Sequence, residues 1–154
     1  MNGEIKKIKE ELYKNCRKFI DDKLITVNQI ISSNQKALQS ETKSSAGDKH
    51  ETGRAMLQLE MEKASQQFEV TSTMNEVLKK IDIKRVNENV KLGSLICTNQ
   101  GCYFLAISVG PVKVSQEEYF VISSSSPIGK LLLGKHKNDS FIFNQKEIKI
   151  LEIY

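Results

Sequence analysis

The chain has 154 residues, of which 27% are charged and 39% hydrophobic, enough for one or two small domains with a core of modest size. Its net charge of +4 is spread evenly, with 14 basic and 12 acidic residues up to Lys80 and 9 and 7 beyond it, so no basic block marks a chain that grips nucleic acid alone. No stretch approaches the roughly 18 apolar residues of a bilayer span and no export signal is recognisable, so a cytoplasmic protein with no membrane partner is expected.

The first half contains no proline, and its apolar residues recur with a helical period. Ile5, Ile8, Leu12, Cys16, Phe19, Leu24, Val27, Ile31 and Leu38 fall mostly at steps of three to five, which predicts one long helix from Glu4 to Gln39. The polar stretch from Ser40 to Gly47 interrupts that pattern. Leu57, Met61, Ala64, Phe68, Thr71 and Leu78 then resume it at steps of three, four or seven, which predicts a second helix. A single stripe cannot be buried by one helix in water, so the two are expected to pair as an antiparallel hairpin, a rod on the order of 50 Å long. Such a rod buries only a narrow seam. Its value is reach, with a helical dimerisation arm that carries no chemistry at its end as the alternative.

The period changes after Asp82. Leu92 to Thr98, Cys102 to Val109, Glu118 to Ser123, Ser140 to Asn144 and Ile148 to Ile153 are short, β-branched or aromatic runs, punctuated by Asn99-Gln100-Gly101 and Gly110-Pro111. They predict five strands. Between the third and fourth, Ser126 to Gly134 has serine at a cap, proline in the first turn and glycine past the end, which predicts one short helix. Cys16, Cys97 and Cys102 are expected to be reduced thiols packed as small apolar side chains.

The segment Ile122 to Phe143, ISSSSPIGKLLLGKHKNDSFIF, is similar to the C-terminal signature of the Gre family of bacterial transcript-cleavage factors, I-S-x-x-S-P-[IL]-[GA]-[RK]-A-L-[IL]-G-K followed by a turn and an apolar strand. The resemblance implies an α+β chain in two parts. Residues 1–80 would form an antiparallel coiled-coil hairpin with its tip near 43–54. Residues 81–154 would form a small FKBP-like domain, an antiparallel sheet with one short helix. It further implies that this domain docks on RNA polymerase through Ser126, Pro127, Ile128, Gly129, Lys130, Gly134 and Lys135, and that the hairpin enters the polymerase's secondary channel as a monomer. There it would meet the nascent RNA.

At the tip this chain has Gly47-Asp48-Lys49-His50-Glu51 where the family has G-D-x-S-E, so Asp48 and Glu51 stand where the family's two functional acids stand. Two carboxylates three residues apart at the start of a helix lie on one side of its first turn and can converge on a hard cation. Hydrolysis of a phosphodiester by two metals places one ion on the attacking oxygen and another on the leaving oxygen. By resemblance, Mg²⁺ would be held jointly by the tip and the polymerase, and none by this chain alone. The enzyme would then be the polymerase, whose own RNA cleavage the tip stimulates. The same Asp-x-x-Glu spacing is also close to a helix capping box, and the two roles are compatible.

After the second acid the family has N-A-E-Y, whereas this chain has Thr52-Gly53-Arg54-Ala55, which reverses a charge and removes an aromatic ring. The alternative is therefore a secondary-channel regulator that does not cleave. Lys36, Lys43, Lys49 and Arg54 cluster near the tip, either for RNA phosphates or as a solvated face. His50 and His136 are the only histidines and lie in different halves, which supports neither a histidine-rich metal site nor a triad. A chaperone-like binder built on the FKBP-like fold is a further alternative. No tryptophan and no obvious aromatic proline pocket supports it.

Overall fold

The computed structural model describes residues 2–43 and 48–154, and within helices the side chains outside 41–50. Two long helices come first, α1 (Gly3–Lys43) and α2 (Asp48–Lys79). Six strands and one short helix follow: β1 (Leu95–Thr98), β2 (Gly101–Ala106), β3 (Gly110–Val114), β4 (Glu117–Ser123), α3 (Pro127–Leu132), β5 (Ser140–Phe143) and β6 (Lys146–Ile153). The chain divides into two compact units, Ile20–Asn75 and a discontinuous one made of Met1–Phe19 with Glu76–Tyr154. The change in sequence pattern at Lys80 thus lies just inside the second piece of the discontinuous unit.

Ile20–Asn75 is a helical hairpin. From α1, Ile20, Val27 and Asn34 are buried, with Leu24, Ile31 and Leu38 half-buried between them, a repeat of alternating threes and fours that makes a seam. From α2, Ala64 and Thr71 are buried and Leu57 and Met61 half-buried, whereas Phe68 lies 40% exposed beside the stripe rather than in it. Two polar groups in the seam are satisfied locally: Asn34 Nδ2 donates to Glu60 Oε2 at 3.2 Å, and Thr71 Oγ1 to Gln67 O at 2.7 Å. A polar residue in a coiled-coil seam fixes register at a cost in stability. Asn34→Leu should therefore stabilise the hairpin by about 1 kcal/mol, read as a higher helical melting temperature by circular dichroism.

The other unit is built on one six-stranded sheet of order β3-β4-β2-β1-β6-β5. It corrects the expectation of an antiparallel, five-stranded sheet: β2 and β4 pair in parallel, with Phe104 opposite Val121, while the other neighbours are antiparallel. The sixth strand is β3, whose Gly110-Pro111 start reads in sequence as a turn. Proline lacks the N–H of an interior strand, and β3 lies at the sheet edge, where that loss is tolerated. After β2 the chain crosses to that edge, returns along β3, and turns at Ser115 and Gln116, both with positive φ (52° and 71°). β4 then runs back between β3 and β2, which makes it parallel to β2.

Both faces of the sheet are covered. On one, Ile96, Leu105, Ile148 and Ile150 pack with Val90 and with Ile128 and Leu132 of α3. Leu95, Phe104, Val121 and Tyr119 alternate with these onto the second face and are also buried. At the base of the helices, Leu12, Cys16 and Leu78 are fully buried, and the Tyr13 hydroxyl donates to Leu78 O at 3.4 Å. Cys97 and Cys102, expected as reduced thiols, are joined as a disulfide, because they sit directly opposite each other in β1 and β2 with Cα atoms 4.1 Å apart. Cys16 is the one free cysteine, and burial pushes its thiol up to about 12.

Candidate functional site

Two regions carry the residues singled out in the sequence. The first is where α1 ends and α2 begins. α2 starts at Asp48, so Asp48 and Glu51 are one helical turn apart on its first residues. Glu51 and Arg54, again three apart, are both exposed, as is Lys36 of α1. The side chains of Lys43, Asp48, Lys49 and His50 lie outside the described residues. Among the described residues no group of three or more His, Cys, Asp or Glu side chains converges to hold a metal ion. As donors, two carboxylates at this spacing fit part of the oxygen shell of Mg²⁺, which takes one or two carboxylates and keeps the rest of its sites for water and phosphate.

The second region is Ser126 to Lys135. Ser126 sits in extended conformation (φ −66°, ψ 155°) and caps α3: its Oγ accepts from Gly129 N at 3.1 Å and donates to Ser123 O at 2.7 Å. Gly129 is buried so tightly that a Cβ there would stand 2.1 Å from Ser123 O. Ile128 faces the core. Gly134 has φ +83° and its N–H donates to Val90 O at 2.9 Å, while Lys135 O accepts from Val90 N at 2.8 Å. Ser126, Ile128, Gly129 and Gly134 are thereby occupied in building the segment.

What this segment offers to a partner is a different set. Pro127, Lys130 and Leu131 are exposed at positions i, i+3 and i+4 of α3, and Leu133 is 49% exposed beyond them. Leu131 and Leu133 were not singled out in the sequence. The signal was the run Leu131-Leu132-Leu133, since a two-turn helix can turn only part of such a run to the core. His136 lies exposed, and its backbone N–H donates to Asp139 Oδ2 at 2.7 Å.

A third residue was missed. Lys9 is fully buried, and its Nζ donates to Tyr154 O at 3.1 Å. Burial lowers its ammonium to about 8, and the Asp82 carboxylate partly opposes that shift. The signal was its position, three residues before Leu12 and seven before Cys16, on the buried stripe of α1. No helix among the described residues is long and apolar enough to cross a membrane.

No family model matches the chain, and no curated protein matches it.

Proposed function

We propose that this chain is a transcription elongation factor of the Gre type: a cytoplasmic monomer that docks on RNA polymerase through an FKBP-like domain, places its hairpin in the secondary channel and stimulates cleavage of backtracked RNA. The observation that carries this reading is the Ile122 to Phe143 segment, whose likeness to the family signature extends over more positions than the cap and core of α3 require. A helical hairpin preceding it, with two acids on the first turn of α2, supports the same reading.

In that reading Asp48 and Glu51 offer hard oxygen donors to Mg²⁺ held jointly with the polymerase, which would polarise the scissile phosphodiester. Glu51 lies exposed on the helix surface, where a carboxylate remains open to a cation. The exposed Pro127, Lys130, Leu131 and Leu133 supply the docking contact. They pair an apolar patch with one positive charge, suited to a partner surface that carries carboxylates at the rim of an apolar groove.

The experiment is to stall RNA polymerase, let it backtrack, and add the purified chain with Mg²⁺. The wild type should shorten the transcript. Asp48→Ala with Glu51→Ala should reduce shortening by about 100-fold or more, the scale on which removal of an electrostatic stabiliser acts, without loss of polymerase binding. A second reading is favoured by Arg54 and Ala55, which place a cation next to the acids and remove a ring from the tip. If the wild type binds but leaves the transcript intact, the chain is a non-cleaving regulator of the channel. No binding at all removes both readings.

A further inference from the structure

The Cys97–Cys102 bridge spans the turn that joins β1 to β2. Asn99 and Gln100 in that turn are exposed and both cysteines are half-buried, so the bridge stands at the border of solvent rather than in the core. Four residue pairs, from Leu95 opposite Phe104 to Thr98 opposite Gly101, hold the two strands together. Inside the turn, Thr98 Oγ1 donates to Gly101 O at 2.7 Å and accepts from Gln100 N at 3.1 Å. The hairpin thus keeps its register with the bridge open, and opening the bridge does not require unfolding. The third cysteine, Cys16, is fully buried, so it is out of reach for scrambling with this pair.

The same turn grips the neighbouring strand. Asn99 N donates to Lys149 O at 3.2 Å, Asn99 Nδ2 to Glu147 O at 3.2 Å, and Asn99 Oδ1 accepts from Lys149 N at 2.8 Å. β6 in turn packs Ile148 and Ile150 with Ile128 and Leu132 of α3. A cross-link across a short turn acts by removing open conformations, so a bridged turn holds Asn99 in place for longer than an unbridged one.

We propose that Cys97 and Cys102 form a reversible redox couple, whose reduction by a dithiol loosens the grip of Asn99 on β6. The inference rests on the cytoplasmic location in the proposed function, because bridges in that compartment are transient and catalytic or redox-sensing rather than structural staples. A thiolate of the dithiol bonds to one cysteine sulfur, the Sγ–Sγ bond breaks, and the other sulfur leaves as a thiolate that takes up a proton. The second thiol of the reductant, having lost its proton, then displaces the mixed disulfide, and the released cysteine is protonated in its turn. Two electrons pass to the chain, and the dithiol departs as its own disulfide. Exchange with an oxidised dithiol runs the steps backwards.

The test equilibrates the full, folded chain with mixtures of reduced and oxidised dithiothreitol, traps free thiols with iodoacetamide and counts them by mass spectrometry. Cys97 and Cys102 should open and close together without denaturant, with Cys16 unlabelled throughout and the circular dichroism spectrum unchanged. In the reduced chain, amide hydrogen exchange at Asn99 and Lys149 should be faster by about tenfold, while Leu105 in the same sheet keeps its rate. The double variant Cys97→Ser with Cys102→Ser should show the fast rates with or without dithiol. A bridge that opens only in denaturant, a chain that unfolds on reduction, or equal exchange at Asn99 and Lys149 in both states would each overturn the proposal. None of these readouts involves RNA polymerase, so transcript shortening tests the proposed function separately.

Discussion

Lys9→Met should make the sheet unit more stable at pH 7 and abolish the gain in stability that the wild type shows between pH 8 and 9. Lys9 is fully buried, and its ammonium in the folded chain titrates near 8 against an ordinary 10.5. Below pH 8 the group is charged in both states, and the folded state bears the cost of taking that charge out of water. A separation of this size corresponds to about 3 kcal/mol. As pH rises from 8 towards 10.5 the folded chain gives up the proton while the unfolded chain keeps it. The unfolded state then binds more protons, so stability rises with pH.

Cys16 acts in the opposite sense. Its thiol ionises near 9 when unfolded but near 12 when buried, so above pH 9 the unfolded state binds fewer protons and stability falls. The wild type should therefore gain stability from pH 8 to 9 and flatten beyond it. Methionine at position 9 fills similar volume without the charge. It gives up one hydrogen bond worth about 1 kcal/mol, but Tyr154 O still accepts from Leu95 N at 2.9 Å and is not orphaned. The net expectation is a gain of about 1–2 kcal/mol at pH 7. The chain has no tryptophan, and all four tyrosines (13, 103, 119 and 154) belong to the sheet unit, so denaturation followed by tyrosine fluorescence reads that unit. A less stable variant at pH 7, together with a flat wild-type profile from 8 to 9, would show that the buried lysine imposes no such cost.

Gly129→Ala should destabilise the same unit by about 3 kcal/mol. Helix propensity alone favours alanine by up to about 1 kcal/mol. Against it, the new Cβ would sit 2.1 Å from the Ser123 carbonyl oxygen and 2.7 Å from Ser126 Oγ. The first of these is backbone and cannot rotate away, so the bond from Ser126 to Ser123 O and the cap on Gly129 N are both disturbed. Overpacking of this kind costs about 1–3 kcal/mol and a lost N-cap about 1 kcal/mol, which together outweigh the propensity gain. Ser126→Ala removes the cap without the clash and should cost only about 1 kcal/mol. If Gly129→Ala denatures at the same midpoint as the wild type, the close approach of α3 to Ser123 has been overstated.

What could be read along the chain was what depends on near neighbours. The stripes of α1 and α2 repeat within two turns, and the Ser126, Pro127 and Gly134 arrangement around α3 is complete within nine residues, so both were legible. Features that depend on distant partners were not. Pro111 is acceptable in a strand only because β3 has no neighbour on one side, and nothing near Pro111 carries that information. The opposition of Cys97 and Cys102 is, by contrast, local: five residues apart, they face each other through the register of one hairpin. Lys9 in an apolar stripe resembles a surface lysine with a buried stem until its acceptor, 145 positions away, is known.

Because Ile20–Asn75 interrupts the sheet unit in sequence, that unit cannot close in the order in which it is synthesised. Leu12 and Cys16 leave the ribosome before any strand that will share their unit exists. The hairpin, by contrast, can form from local contacts alone, and doing so shortens the loop that must be closed to bring Met1–Phe19 to Glu76–Tyr154.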